Sequence, residues 1–309
     1  MTISALAPAN LTHLKDLSVL ITGGASGLGL SSATLFAKSE AYVTIADVQD
    51  CSEIVDDLVK QGFKVQFVHC DVTNWDSLVN AFLKTLNFSP TKSLNMVAAF
   101  AGVDNTGHLV EHVAGAGVSL DDPPPPIPTL DPIEVNLKGT LYTATLALHY
   151  LRLKPQGATS EKVQECKSLA IVSSLAGYID DTHNTAYTAS KFGSRGLFRA
   201  IRAQAYQRFN IRVNAICPWA MRTPMTEPLL AKVAEFGIVP SKGITLVEHD
   251  VLTQALMRIT LDESIYGRAF AIVPEGAVDI GDDFEGSYGG PQLVELMTLR
   301  EKAGDLLHS

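Results

Sequence analysis

The chain has 309 residues, 46% of them hydrophobic and 18% charged, with a formal net charge of −9. That acidic balance, without a block of basic residues, argues against nucleic acid and anionic membrane surfaces as partners. No apolar run reaches ~18 residues and the first residues lack the charged and apolar regions of a signal peptide, so the expected address is cytoplasmic. The length allows one large domain or two small ones. Cys51, Cys70, Cys166 and Cys217 are scattered without a C-x-x-C pair, which predicts free thiols and neither disulfides nor a metal site.

The first predicted strand, SVLIT (18–22), runs into a glycine-rich turn, TGGASGLG (22–29), and then a helix from about Gly27 to Ser39. Strand, glycine turn and helix in that order are the context in which such a turn holds a dinucleotide. Gly23 permits the tight turn, Gly27 lets the backbone approach a pyrophosphate, and Gly29 lets the helix pack close to the sheet. Free N–H groups at the helix start then face the phosphates. A glycine-rich turn without a ligand has the same composition, but here an acid follows at the right distance. Asp47 closes the second strand, YVTIAD (42–47), where a carboxylate accepts hydrogen bonds from the adenosine ribose and repels a 2′-phosphate. Ser26 precedes Gly27, Val48 and Gln49 follow the acid, and no Arg or Lys sits in the turn. Both features favour NAD over NADP.

The third strand, KVQFVHC (64–70), leads to Asp71, Val72 and Thr73 and a helix from about Asn74 to Leu86. Asp71 either meets the adenine amino group or caps that helix. The fourth strand, LNMVAAF (94–100), ends at Ala101 and Gly102, small enough to let a cofactor pass. From Val103 to Leu130 the rhythm breaks; Pro123 to Pro126 cannot donate backbone hydrogen bonds, and an irregular surface excursion is expected. His108 and His112 in it read as surface histidines. A long helix from about Ile133 to Leu153 is apolar or small nearly all round, so both its faces should be covered, one of them by the sheet.

The fifth strand, SLAIVSS (168–174), delivers Ser174 to a strand's carboxyl end, where open α/β sheets place their ligands. A polar loop follows, then a helix opening at Tyr187 and running to about Arg208. Tyr187 and Lys191, four apart, share a helix face. A phenol keeps its proton until about pH 10, and an ammonium beside it favours the phenolate, so this tyrosine can exchange a proton near neutrality. The same spacing also fits a plain surface pair. The sixth strand, IRVNAIC (211–217), breaks at Pro218. Beyond it a proline-interrupted segment to Gly243, with Trp219, Met221, Met225, Leu229, Leu230 and Phe236, is placed to close over an apolar ligand. A helix near 246–260 and a seventh strand, AFAIVPE (269–275), complete the sheet. The tail from 276 begins acidic and glycine-rich and ends in a predicted amphipathic helix. Seven strands alternating with helices describe a single-domain α/β fold: a Rossmann-type doubly wound sheet of seven parallel strands flanked by helices.

With TGGASGLG, Asn136 in VNLKGT, Ser174 thirteen residues before Tyr187, and YTASK in register, the chain resembles the short-chain dehydrogenase/reductase family over roughly residues 15 to 275. Within it, NAICPWAMRTPM, ITLVEHDVLTQALMRIT and the acidic tail are similar to two branches. One is the NAD-dependent 15-hydroxyprostaglandin dehydrogenases; the other is the fungal secondary-metabolite alcohol dehydrogenases of the 5′-hydroxyaverantin type.

The resemblance implies four catalytic residues. Tyr187 would be the acid/base, Lys191 would lower its pKa and hold the nicotinamide ribose, Ser174 would hold the substrate oxygen, and Asn136 would hold a water linking Lys191 to solvent. It further implies that NAD lies along Gly23, Ser26, Gly27, Leu28 and Gly29, then Asp47 and Val48, Asp71 and Val72, and Ala101 and Gly102. The nicotinamide half would reach Tyr187, Lys191, Pro218, Trp219, Met221 and Thr223, with substrate against Ser174, Tyr187, Trp219 and Met225. The family's NNAG stands here as Ala99-Phe100-Ala101-Gly102, so an asparagine that braces the sheet is missing; its PG is Pro218-Trp219, where the indole either stacks on a flat substrate or packs the lid.

An NAD-dependent oxidoreductase for a secondary alcohol or ketone of a largely apolar metabolite is expected, as a homodimer or homotetramer joined through helices 133–153 and 187–208. A non-redox cyclase, epimerase or dehydratase on the same fold is the alternative enzyme. A nucleotide-sensing binding protein is the alternative outside enzymes, and it has no need of the Asn136, Ser174, Tyr187 and Lys191 set.

Overall fold

The computed structural model describes residues 11–104, 107–114, 117–157, 166–179, 184–228, 230–231 and 245–280. Residues 180–183 of the loop before Tyr187, Leu229, Phe236 and the predicted C-terminal helix lie outside them. Strands β1 (Ser18–Thr22), β2 (Tyr42–Asp47), β3 (Val65–His69), β4 (Met96–Ala99), β5 (Ser168–Val172), β6 (Arg212–Pro218), β7 (Ala269–Val273) and β8 (Gly276–Asp279) form one sheet. Their order is β3-β2-β1-β4-β5-β6-β7-β8, and every pairing but the last is parallel. A parallel sheet needs both faces covered, which is why β1 is buried at all five positions. Alternation divides the core: Val19 and Ile21, with Val43 and Ile45, face one layer, and Leu20, with Ala46, faces the other.

One layer contains helices α1 (Gly27–Lys38) and α2 (Ser52–Lys60), the other α3 (Trp75–Phe88). After β4 come α4 (Leu109–Ala114) and α5 (Thr140–Tyr150); after β5 comes α6 (Thr185–Phe209); between β6 and β7 lies α7 (His249–Leu261). Phe36 of α1 and Leu252, Leu256 and Ile259 of α7 fill the first layer, and Phe82 of α3, Ala147 of α5 and Phe198 of α6 the second. The four cysteines are free and buried, as their spacing predicted.

Three expectations are corrected. The seven-strand count omitted β8: β7 turns over Pro274 and Glu275 into Gly276, whose φ of 122° reverses the chain, and residues assigned to the tail pair antiparallel with β7. The proline-rich excursion is not wholly irregular, since it contains α4, tied back by a 2.8 Å hydrogen bond between His112 Nε2 and the Pro126 carbonyl. The long helix from 133 begins as a π-helical stretch, Ile133–Gly139, before the α-helical geometry of α5. On the face turned away from the core, Leu141, Thr145 and His149 are exposed, the side expected to meet a second subunit. The sixth strand ends at Pro218 as expected, with the proline itself as the last residue of β6, opposite Ile272. A proline fits there because a strand's end needs no further donor from it.

No helix among the described residues is long and apolar enough to cross a membrane.

Candidate active site

The sheet order reverses between β1 and β4, and a doubly wound sheet opens a crevice at the carboxyl ends of the strands on either side of such a point. An open cavity of about 280 Å³ lies there. Its walls are the residues that follow β1, β2, β3, β4, β5 and β6, together with Tyr187 and Lys191 of α6.

At one end the glycine turn is shaped by close approach. Gly23 has φ 68°, and a Cβ on it would stand 2.4 Å from the Ala101 nitrogen; a Cβ on Gly29 would stand 2.1 Å from the Gly23 carbonyl oxygen. Both side chains are thus excluded by backbone, and the turn is pressed against the start of α1. Asp47 reaches across from β2, accepting from Ala25 N–H at 2.9 Å through Oδ2 and from Gln49 N–H at 2.9 Å through Oδ1. A carboxylate has about four acceptor positions, so each oxygen keeps one for a hydroxyl in the cavity.

Asp71 is not the cap of α3. Asn74 is, accepting from Ser77 N–H at 3.0 Å, while Asp71 Oδ1 accepts from the Thr73 N–H and hydroxyl, both at 2.8 Å. That Asx turn leaves Asp71 on the cavity wall beside Val72.

At the other end, α6 lies against the end of β5. Ser173 donates to the Lys191 carbonyl at 3.0 Å, Ser194 to Ser173 Oγ at 3.0 Å, and a Cβ on Gly177 would come within 2.8 Å of that same carbonyl. Neighbouring Ser174 accepts from Ala176 N–H at 3.1 Å, which leaves its own hydrogen free to point into the cavity. Lys191, only 7% exposed, donates to the Val172 carbonyl at 3.2 Å, its Nζ 5.4 Å from the centre of the Tyr187 ring. Burial pulls its pKa from 10.5 down to about 8. Tyr187 stands half-buried at the same wall.

Asn136 does not line the cavity. It is 1% exposed, its Oδ1 accepting from Val103 N–H at 2.8 Å and its Nδ2 donating to the Val103 carbonyl at 2.9 Å and to Ser190 Oγ at 3.0 Å. Ser190 in turn donates to the Tyr187 carbonyl at 2.6 Å. Both amide hydrogens are engaged by protein, so the carboxamide braces the chain after β4 against the Tyr187 turn.

Every other cofactor and substrate residue named from the sequence lines the cavity: Ser26, Gly27, Leu28, Val48, Gly102, Pro218, Trp219, Met221, Thr223 and Met225 among them. Trp219 and Met225 are each 41% exposed at its rim, whereas Met221 is 2% exposed and joins Val247 in a parallel bridge. Sequence reasoning missed Phe100, Val103, Val135 and Thr226, also on the wall. Val135 belongs to the π-helical stretch, which has no signature in the residue pattern. Among the described residues no cluster of ligating side chains fits a metal ion.

The geometry defines a crevice with a tight glycine turn and a carboxylate at one end and a phenol beside a buried lysine at the other. The family profile described as short chain dehydrogenase matches residues 18–234, and the chain belongs to that family of oxidoreductases, which use nicotinamide cofactors. Among curated proteins it is 40% identical to a 5′-hydroxyaverantin dehydrogenase of Dothistroma septosporum over 299 residues, 96% of each chain. It is 41% identical to another 5′-hydroxyaverantin dehydrogenase, from Emericella nidulans, over 298 residues and again 96% of each. An NADP-dependent dehydrogenase of Cochliobolus lunatus is 33% identical over 66% of this chain and 71% of its own. A short-chain type dehydrogenase/reductase from Mycobacterium marinum shares the fold at TM-score 0.68 and 19% identity, covering 86% of this chain and 97% of that one.

Proposed function

We propose that the chain is an NAD-dependent alcohol dehydrogenase/ketoreductase acting on a secondary alcohol or ketone of a largely apolar metabolite, with Tyr187 as acid/base. The observation that carries this is the convergence of Ser174, Tyr187 and Lys191 on the cavity whose other end is the glycine turn and Asp47. The residues fit a dinucleotide: backbone-tight glycines would cradle its pyrophosphate, Asp47 would take the adenosine ribose, and Lys191 the nicotinamide ribose. When bound, the nicotinamide supplies the hydride acceptor or donor.

The chain's own residues handle the oxygen and its proton. In oxidation, Tyr187 as phenolate accepts the hydroxyl proton while hydride leaves the carbinol carbon, so a carbonyl forms and two hydrogens depart in total. Ser174 donates its free hydrogen to the same oxygen and stabilises charge developing there. Lys191 beside the ring favours the phenolate.

NAD is preferred over NADP on two grounds. The Asp47 carboxylate would face a 2′-phosphate, and Lys191, at the opposite end, is the one Lys or Arg on the described cavity wall. The apolar rim of Trp219, Met225 and Pro224 supports an apolar substrate, and the name of the two fungal relatives makes 5′-hydroxyaverantin the first compound to try.

The test is NADH formation with a panel of flat secondary alcohols, followed by product mass. Turnover with NAD, a product two hydrogens lighter and a loss of at least about a thousandfold in Tyr187→Phe are expected. A product of unchanged mass, or undiminished turnover in that variant, overturns the proposal.

A further inference from the structure

We propose that His249 is a positioning residue, coupling the glycine turn to the strap of chain, residues 219–226, that borders the nicotinamide end of the cavity. The inference rests on the dinucleotide reading above. His249 opens α7, remote in sequence from both parts. Its Nε2 lies 2.7 Å from the Arg222 carbonyl oxygen, and its Nδ1 lies 2.7 Å from Ser31 Oγ. A carbonyl only accepts, so Nε2 carries the hydrogen; in the neutral ring Nδ1 then accepts from the Ser31 hydroxyl. Ser31 is one turn along α1 from Gly27, and its one hydroxyl hydrogen is shared between Nδ1 and the Gly27 carbonyl, 3.1 Å from Oγ. The imidazole thus bridges the first turn of α1, where the pyrophosphate would lie, to the backbone of the strap.

A second contact joins the same two parts. Gly27 lacks a side chain where Thr223 packs: a Cβ there would stand 3.2 Å from Thr223 Cγ2. The strap is itself internally fixed, because Thr223 N–H donates to Thr226 Oγ1 at 2.9 Å and Thr226 Oγ1 donates to the Met221 carbonyl at 2.6 Å. A displacement at Arg222 therefore carries Met221 and Thr223 with it, and both line the cavity. The chemical groups are held separately, through Ser173, Ser190, Ser194 and Asn136. Loosening His249 should accordingly weaken the grip on the dinucleotide far more than the proton transfer.

The experiment measures NADH affinity by calorimetry for wild type, Ser31→Ala, His249→Ala, the double variant and His249→Gln, alongside melting temperature and amide exchange of residues 221–226. Each single alanine variant is expected to weaken NADH binding about tenfold, the double variant no more than the weaker single, as for two members of one relay. Glutamine, which offers an N–H and a C=O, should restore most of the affinity. The losses should fall on KM for the dinucleotide rather than on kcat, and strap exchange should quicken in His249→Ala. Wild-type affinity in the single variants, additive losses in the double, or losses that merely follow melting temperature would overturn the coupling. Failure of wild type to bind NADH would instead overturn the dinucleotide reading, and the coupling with it.

Discussion

Lys191 shows what burial does to a charge. Its ammonium has lost nearly all its water and donates to the Val172 carbonyl, and burial lowers its pKa from 10.5 to about 8. In the unfolded chain it holds its proton up to about 10.5. Between those values the unfolded state binds more protons, so the free energy of unfolding rises with pH across that window. Below pH 8 the penalty is present in full, on the order of 3 kcal/mol. Denaturant unfolding should therefore find Lys191→Met more stable than wild type at pH 7, with the gap closing as pH approaches 10.5. A gap independent of pH would contradict the assignment. The same ammonium is needed beside Tyr187, so the variant should lose activity while gaining stability, a stability cost retained for function.

Asp47 is tested at the same level. Asp47→Ala should narrow the NAD over NADP preference by about tenfold, ~1.4 kcal/mol. Steady-state kinetics with both cofactors measures it, and an unchanged ratio removes the ribose contact.

Among elements, α7 depends on a residue of β6. Arg212 is 3% exposed, and its guanidinium donates to the carbonyls of Ile259, Thr260 and Asp262 at the helix C-terminus. Those carbonyls have no partner within the helix, and a cation is favoured there. Arg212→Met should cost about 2 kcal/mol of stability, since it removes charge-assisted hydrogen bonds to three carbonyls that keep only the Ser168 hydroxyl, the Cys166 thiol and the Ile265 N–H; chemical denaturation checks this, and a change below about 0.5 kcal/mol would refute it. Because α7 begins at His249, this cap at one end and the Ser31 bridge at the other fix the helix along α1. Strands such as SVLIT and YVTIAD were legible residue for residue, because a buried parallel strand is a short apolar run with a turn at its end. The π-helical turn at Asn136 was not; there Gly139 packs closely on Val72 and Asn136 bonds Val103, partners distant in the sequence.

In the whole molecule, two outward surfaces remain apolar along the helices expected to mediate assembly: Leu141 of α5 at 44% exposure and Phe192 of α6 at 42%. We expect a homodimer or homotetramer built on them. Light scattering checks this, and a monomer at micromolar concentration would remove the expectation. By itself the sequence determined seven of the eight strands and most of the helices, which follow from periodicity, a property of neighbours along the chain. Its motifs, by resemblance, pointed to the family and to the phenol, ammonium, hydroxyl and carboxylate that line the cavity. The tertiary structure alone decided that Asn136 is spent on Val103 and Ser190, that the chain turns back as an eighth strand, and that His249 sits between Ser31 and Arg222. Such contacts join residues up to 218 positions apart, and no local pattern encodes which distant partner packing will bring within hydrogen-bonding reach.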